Sequence, residues 1–263
     1  LRIVTALESH YAAFDGLNLT FETLEGLVKH NGPLTGPHSG GGPVAPPILQ
    51  FDAVLPLDLG RFASLEAQAA AISDDIAYNT HDLDDGLRAG LIALDDLREL
   101  PLAGSILAEV RQAWPDLSSA RMGHEIMRRH ITRMVEDVLS ETVLRLRQDK
   151  IGSLDDVRDN TREIVAFSDT MRQAVDETRR FLFRRVYRDE TVMRVMRRAE
   201  GVVERLFAAY LAAPHEMGKG WAGEDATAAG TGARTVADYL AGMTDTYALA
   251  EYRRLFDETV DLR

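Results

Sequence analysis

The segment SLEAQAAAISDDIAYNTHDLDDGL, residues 64–87, decides the fold class. Apolar residues recur in it every three to four positions, and they are Ile72, Ile76, Leu83 and Leu87. This spacing places them on one side of an α-helix. Ser64 precedes the first apolar residue and offers a hydroxyl oxygen to the unpaired N–H groups of a first helical turn. The pattern predicts an amphipathic helix over residues 65–91.

Helical periodicity continues through most of the chain, and two-residue alternation typical of strands is nearly absent. The other segments with this periodicity are 126–139, 164–175, 192–211 and 236–256. The stretch Asn18-Leu19-Thr20, and Asn160 with Glu163 three residues later, are further candidate helix starts. We therefore predict an all-α protein of eight to ten helices.

Two stretches interrupt the helical pattern. Residues 32–47 hold most of the prolines, and residues 214–232 are rich in Gly and Ala, so both are predicted loops. The helices after the second loop span only about 30 residues, which is short for a separate core. We therefore predict one helical domain over residues 1–263, with loops at 32–47 and 214–232.

Composition limits the classes of ligand and compartment. The 42 acidic and 30 basic residues leave a net charge of −12, which argues against a surface devoted to duplex DNA and favours a small ligand. The chain has no cysteine, so it has neither disulfides nor a thiolate zinc site. No apolar run approaches the roughly 18–20 residues that a membrane span needs. We expect a cytoplasmic protein without a membrane partner.

Three polar residues of the 65–91 segment have a spacing suited to a binding site. Asp74, Tyr78 and Asp82 lie at positions i, i+4 and i+8, so a helix aligns them over about 12 Å. A carboxylate is a hard ligand for a divalent cation, a phenol ring offers an apolar wall, and a second carboxylate can accept a hydroxyl hydrogen bond. The alternative is a solvated acidic face without a ligand.

The doublet His81-Asp82 has the composition of a hydrolase metal centre. Adjacent helical residues point about 100° apart, so a lone doublet without further ligands is more often accidental.

Four blocks of the sequence resemble the deoxyguanosine-triphosphate triphosphohydrolase-like proteins of the HD-domain superfamily. They are RIVTALE (2–8), GLNLT running on to LEGLVKHNGP (16–33), SLEAQ through DDIAYNTHDLDDG (64–86), and AGMTD with Tyr247-Ala248 (241–248). The resemblance covers most of the chain and weakens in the two loops.

The resemblance implies the C-terminal, larger part of an all-helical HD fold that binds one divalent cation, Mg²⁺ or Mn²⁺. It implies that Asp74 is a metal ligand, Tyr78 packs on deoxyribose, Asp82 contacts the sugar 3′-hydroxyl and Lys29 contacts the triphosphate. The implied reaction is hydrolysis of a deoxynucleoside triphosphate such as dGTP to deoxynucleoside and triphosphate. The resemblance also implies a homo-oligomer, with a hexamer as the expected assembly, and nucleic acid only in the role of a regulator.

The sequence departs from the family at the metal site. The family's first His ligand, its His-Asp doublet and its catalytic residues precede the block that begins here at Arg2, and none of the seven histidines lies in those motifs. One carboxylate does not fix a cation, because a defined site needs several ligands. We expect no catalytic residue in this chain and no activity from it alone. Upstream sequence would complete the function.

Two other functions remain open from the sequence. One is a non-catalytic helical module that binds nucleotides or partners, and the other is an HD phosphohydrolase acting on another phosphate ester. A helix carrying Arg128, Arg129 and Arg133 is similarly ambiguous. These arginines either supply countercharge to phosphates or form an exposed face paired with Glu136 or Asp137.

Overall fold

A computed structural model of the protein describes residues 1–218, 220–221 and 232–261. Ten α-helices and no β-sheet form this described part of the chain, so the predicted all-α class and helix number are confirmed. The chain divides into two compact units, Leu1–Val186 and Tyr187–Arg263. The single domain over 1–263 stays a prediction, and each unit is described by itself.

The first unit holds seven α-helices. In chain order they are α1 (Phe21–Lys29), α2 (Pro46–Asp52), α3 (Leu65–Arg88), α4 (Pro101–Ala113), α5 (Ser119–Gln148), α6 (Leu154–Arg158) and α7 (Asp169–Leu182). A π-helical turn at Ile3–Leu7 and a 3-10 helix at Leu94–Glu99 accompany them, and a second π-helical segment, Phe183–Tyr187, follows α7. Helix α3 packs against α1, α5 and α7. It is therefore the central element of this unit.

Both ends of α3 follow from local chemistry. The Ser64 hydroxyl accepts a hydrogen bond from the Ala67 N–H at 3.3 Å, which confirms the predicted N-cap. Gly90 adopts φ +70°, and the N–H groups of Gly90 and Leu91 bond to the carbonyls of Leu87 and Gly86. This Schellman arrangement ends the helix at Arg88, three residues before the predicted end. The left-handed backbone conformation that it requires lies at Gly90, and glycine adopts that conformation without steric cost.

The predicted helix start at Asn160 is wrong, and so is the first part of the predicted helix 164–175. Helix α7 begins at Asp169 and is capped by Ser168. The buried Gln68 side chain accepts hydrogen bonds from the N–H groups of Ile164 and Val165, at 2.9 and 3.0 Å. Because these donors bond to a distant side chain, residues 160–167 cannot form the first turns of a helix.

The second unit contains α8 (Glu190–Ala212), α9 (Gly232–Ala241) and α10 (Asp245–Phe256), with a 3-10 helix at Pro214–Glu216. The predicted continuous helix 236–256 is wrong, because Thr244 caps a new helix with its hydroxyl. The buried core of the second unit includes Val202, Leu206, Tyr210, Val236, Tyr239 and Tyr252. Of the loop predicted at 214–232, residue 219 and residues 222–231 lie outside the described residues.

The loop predicted at 32–47 is non-helical as far as Ala45, and its last two residues begin α2. Pro46 and Pro47 occupy the first turn of that helix, where the missing proline N–H would have no partner in any case. The prediction is therefore confirmed except at its C-terminal end.

We predict that Gln68→Ala lowers the free energy of unfolding by about 3 kcal/mol, because it leaves two buried N–H donors unpaired and opens a cavity. Urea unfolding followed by circular dichroism measures this change. Gln173→Ala on the exposed side of α7 is the matched control and is expected to change stability by less than about 0.5 kcal/mol. Equal effects of the two substitutions would contradict the role given to Gln68.

His130 of α5 lies on the apolar side of that helix and is 1% exposed. The His130 Nδ1 and the Thr80 hydroxyl of α3 share a hydrogen bond of 3.0 Å. Burial lowers the pKa of His130 from its ordinary value of 6.5 to about 4. The imidazole is therefore neutral in the folded protein at neutral pH.

We predict that folding is destabilised as the pH falls from 6.5 towards 4. In that window the unfolded chain binds a proton at His130 and the folded chain does not, so protonation favours unfolding. Lowering the pH from 7 to 5 is expected to cost wild type about 2 kcal/mol more than His130→Gln. Urea titrations at both pH values measure this difference, with the exposed His124→Gln as control. An identical pH dependence for wild type and His130→Gln would refute it.

Candidate functional site

Asp74 opens onto a large cavity of the first unit. The cavity has a volume of about 1010 Å³ and lies among α1, the first half of α3 and residues 163–165. Asp74 is exposed, and in the part of the chain that the structure describes its side chain makes no hydrogen bond or ion pair. Its carboxylate oxygens are therefore available to a ligand.

The cavity is lined by small side chains and by acidic ones. Alanines and glycines of α1 and α3 leave the space, and five carboxylates face it: Glu22, Glu66, Asp74, Asp75 and Glu163. Such a lining repels a bare anion and attracts cations. A phosphate ligand would therefore be bound more favourably as its complex with a divalent cation.

The sequence did not predict Glu163 as part of this site. We interpreted it only as a capping partner of Asn160. The hydrogen bonds that the N–H groups of Ile164 and Val165 donate to the Gln68 side chain bring Glu163 to the cavity instead. The surrounding protein limits hydration and raises the pKa of the Glu163 carboxyl; Arg145 opposes this shift and Asp75 adds to it. Glu163 is nevertheless an exposed residue, and it lines the cavity.

Tyr78 and Asp82 share α3 with Asp74 but do not line the cavity. Tyr78 is 59% exposed, so its ring faces solvent one turn beyond Asp74. Asp82 is half-buried. The structure thus assigns Asp74 to the cavity, and the roles of the other two residues stay predictions.

No group of three or more His, Asp or Glu side chains placed to hold a metal ion occurs in the described parts of the chain. His81 is exposed on α3 beside Asp82. The doublet therefore has no third such ligand beside it within residues 1–218, 220–221 and 232–261. Asp74 fits a cation site as a single ligand of an incomplete set.

The Lys29 side chain belongs to a buried charge cluster. Its ammonium donates to Glu25 at 2.8 Å and to the Asp58 carbonyl at 3.2 Å, and Arg158 donates twice to the same Glu25. Burial lowers the pKa of Lys29, while Glu25 opposes the shift. The Lys29 side chain has no exposed surface, although the residue borders the cavity. Its contact with a triphosphate stays a prediction that requires this ammonium to become accessible.

The arginines of α5 are paired, but with other acids than predicted. Arg128 and Arg129 bond to Glu125, and Arg133 bonds to Glu109 of α4 at 2.5 Å. The predicted partners Glu136 and Asp137 are therefore wrong, because the pairing runs towards the N-terminus of α5 and across to α4. Asp137 instead accepts from the Ser168 N–H and hydroxyl.

Comparison with known proteins identifies relatives of this chain. Residues 165–254 match the family described as a phosphohydrolase-associated domain. The chain is 55% identical over 265 residues to deoxyguanosinetriphosphate triphosphohydrolase-like protein 1 of Mesorhizobium japonicum, covering 100% of this chain and 66% of the relative. It is 54% identical over 268 residues to a deoxyguanosinetriphosphate triphosphohydrolase-like protein of Azorhizobium caulinodans, covering 100% of this chain and 67% of that protein.

A similar protein of Brucella ovis is 54% identical over 265 residues and is covered to 66% of its length. The chain belongs to the deoxyguanosinetriphosphate triphosphohydrolase-like family. It spans about two thirds of the length of these curated relatives. In the described part of the chain, no helix combines the length and apolar character of a membrane span.

We predict that Glu25→Gln destabilises the protein by about 3 kcal/mol, because it leaves two cations, Lys29 and Arg158, without their shared buried counterion. Thermal and urea unfolding measure the loss. Glu22→Gln, on the exposed side of the same helix, is the control and is expected to cost less than about 1 kcal/mol. A Glu25→Gln protein as stable as this control would show that the cluster contributes little.

Proposed function

We propose that the full-length protein hydrolyses deoxynucleoside triphosphates, dGTP or a close analogue, to deoxynucleoside and triphosphate with the help of a divalent cation. The observation that carries the proposal is the Asp74 carboxylate, which lacks a partner in the described residues and opens onto the cavity of about 1010 Å³. The names of the relatives support the same class of reaction. Sequence outside this chain would complete the catalytic centre.

Asp74 would hold the cation, Mg²⁺ or Mn²⁺, together with ligands from sequence not present in this chain. Such a cation, when bound, lowers the pKa of a coordinated water and neutralises charge on phosphoryl oxygens. The acidic cavity lining would disfavour triphosphate that arrives without a cation. The proposed role of this chain is therefore to bind the metal–nucleotide complex and to orient it.

The sugar would be recognised further along α3. The exposed Tyr78 ring offers a flat apolar surface to a deoxyribose, and a 2′-hydroxyl packed against that surface would lose hydration without a hydrogen-bond partner. The Asp82 carboxylate would accept a hydrogen bond from the 3′-hydroxyl. Lys29 would contribute to triphosphate binding if its ammonium becomes accessible. We further propose a cytoplasmic homo-oligomer, with a hexamer as the expected assembly.

We expect Asp74→Asn to lower dGTP turnover by the full-length protein at least about 100-fold, because the amide is a poor ligand for a divalent cation. Asp85→Asn on the same helix is the isosteric control and is expected to leave turnover within about twofold. Ion-exchange chromatography of the products measures turnover and identifies the leaving group. Release of pyrophosphate or single phosphate would contradict the reaction, and nucleotide binding without any turnover would favour a non-catalytic module.

Tyr78→Ala is expected to reduce the preference for dGTP over GTP about tenfold, because the ring that packs on the sugar is removed. Tyr78→Phe keeps the ring and should keep the preference. Competition between the two nucleotides, followed by product analysis, measures the ratio of kcat/KM values. An unchanged ratio in Tyr78→Ala would eliminate the sugar-packing role.

A further inference from the structure

We propose that the outward face of α5 is a self-docking surface, on which a second copy of the protein packs antiparallel across a two-fold axis. The surface consists of Val135, Leu139 and Val143, with Glu136 and Arg147 at its edge, and these five residues are named the α5 stripe. The proposal rests on the homo-oligomer of the proposed function and is independent of the reaction that the protein catalyses.

The α5 stripe exposes apolar side chains that the core of the first unit does not use. Val135, Leu139 and Val143 are 40%, 60% and 45% exposed, and they follow one another at steps of four residues along the helix. The core side of the same helix carries Met134 and Val138, which are buried. A helix with apolar residues on its solvent side as well as on its core side is typical of a helix that a partner covers.

Burial of this face leaves no neighbouring hydroxyl group without a partner. Thr132 and Ser140 border the apolar residues, and their hydroxyls donate to the carbonyls of Arg128 and Glu136 within α5, at 2.9 and 2.8 Å. Because these bonds persist when water is removed, the usual cost of burying an unpaired hydroxyl does not arise. The face is therefore suited to contact with another protein surface.

The two charged residues of the α5 stripe have opposite signs but cannot meet within one chain. Glu136 and Arg147 are exposed, and among the described residues neither side chain makes a hydrogen bond or an ion pair. Three helical turns separate them, so they lie on the same side of α5 at a distance of about 16 Å along its axis. A partner with an acid and a base at this separation, in the opposite order, would pair with both.

A second copy of α5 in antiparallel orientation is such a partner. A two-fold axis at the level of residue 141 places Glu136 of each copy opposite Arg147 of the other, because the two positions are almost equally far from the axis. The same axis places Leu139 opposite Val143, so the apolar residues meet at the centre and the charges flank them. Each contact occurs twice, as in any self-complementary surface. The charge pattern therefore favours a second copy of this chain as the occupant.

The α5 stripe forms the centre of the proposed contact and not the whole of it. Stable interfaces bury about 800 Å² per partner, whereas the stripe runs along only about 18 Å of one helix. Neighbouring surfaces of the first unit would supply the remaining area. Substitutions at the centre of an interface have the largest effects on affinity, so the stripe is the place to test.

Sedimentation velocity of the full-length protein over a concentration series tests the proposal. Wild type is expected to form a dimer or a larger assembly built from dimers. Leu139→Glu places two carboxylates at the centre of the contact and is expected to raise the dissociation constant of the dimer at least about 100-fold. Leu144→Glu is the matched control. Leu144 is 47% exposed on the same helix, but its side chain points about 140° away from Leu139, so the dissociation constant should stay within about twofold.

Charge reversal tests the antiparallel orientation. Glu136→Arg and Arg147→Glu each bring like charges together twice, and each is expected to raise the dissociation constant about tenfold. The double variant Glu136→Arg/Arg147→Glu restores the attraction and should return the dissociation constant to within about threefold of wild type. Effects confined to one chain predict no such recovery, because the two side chains do not meet there. Circular dichroism checks that each variant is folded, and the charge variants decide the question if Leu139→Glu does not fold.

The outcomes separate this surface from other interpretations. Assembly that is unchanged by Leu139→Glu and by both charge reversals overturns the role of α5, even if the protein is an oligomer through another surface. A Leu139→Glu protein that assembles normally but unfolds at a lower urea concentration than Leu144→Glu shows that another segment of the full-length protein covers the face, and this result also overturns the proposal. A monomeric wild type overturns both the surface and the homo-oligomer. The turnover of dGTP is measured separately, so its absence bears only on the proposed hydrolysis.

Discussion

The buried carboxamide of Gln68 joins α3 to residues 164–165 through hydrogen bonds. One wall of the cavity beside Asp74 depends on these bonds. One side-chain oxygen accepts from two backbone N–H groups, while the amide nitrogen donates to the Ala63 carbonyl. The bonds hold a non-helical segment against the first half of α3. They bring Glu163 and Val165 to the cavity wall. The Gln68 side chain thus prevents α7 from beginning before residue 166, and it positions two residues of the cavity wall.

The sequence predicted the elements that local chemistry determines. Helix α3 begins at the expected serine cap, and α8 covers the expected apolar stripe, because caps and periodicity act within a few residues. The errors occurred where a distant partner decides the outcome. The apolar periodicity of 164–175 predicted a helix from residue 164 onwards. The N–H groups of Ile164 and Val165 instead donate to Gln68, about 96 positions earlier in the chain. A single sequence contains no signal for such a partner.

The same reasoning explains what was predicted of the candidate site. Spacing along one helix was sufficient to single out Asp74, Tyr78 and Asp82. The buried cluster of Lys29 with Glu25 and Arg158, however, joins residues 133 positions apart and appears only in three dimensions. Glu163 was missed for this reason too, since it reaches the cavity from another part of the chain. The carboxylates therefore differ in whether they are already paired. Glu25 is paired in a buried cluster, whereas Asp74 makes no such bond among the described residues.

The central claim is that Asp74 is a ligand for a divalent cation at the cavity. Electron paramagnetic resonance of Mn²⁺ titrated into the full-length protein tests it most directly, because the signal of free Mn²⁺ counts the ions that remain unbound. We predict one tightly bound Mn²⁺ per chain in wild type and loss of that ion in Asp74→Asn, with the site retained in Asp85→Asn. An Asp74→Asn protein that binds Mn²⁺ as tightly as wild type would contradict the account.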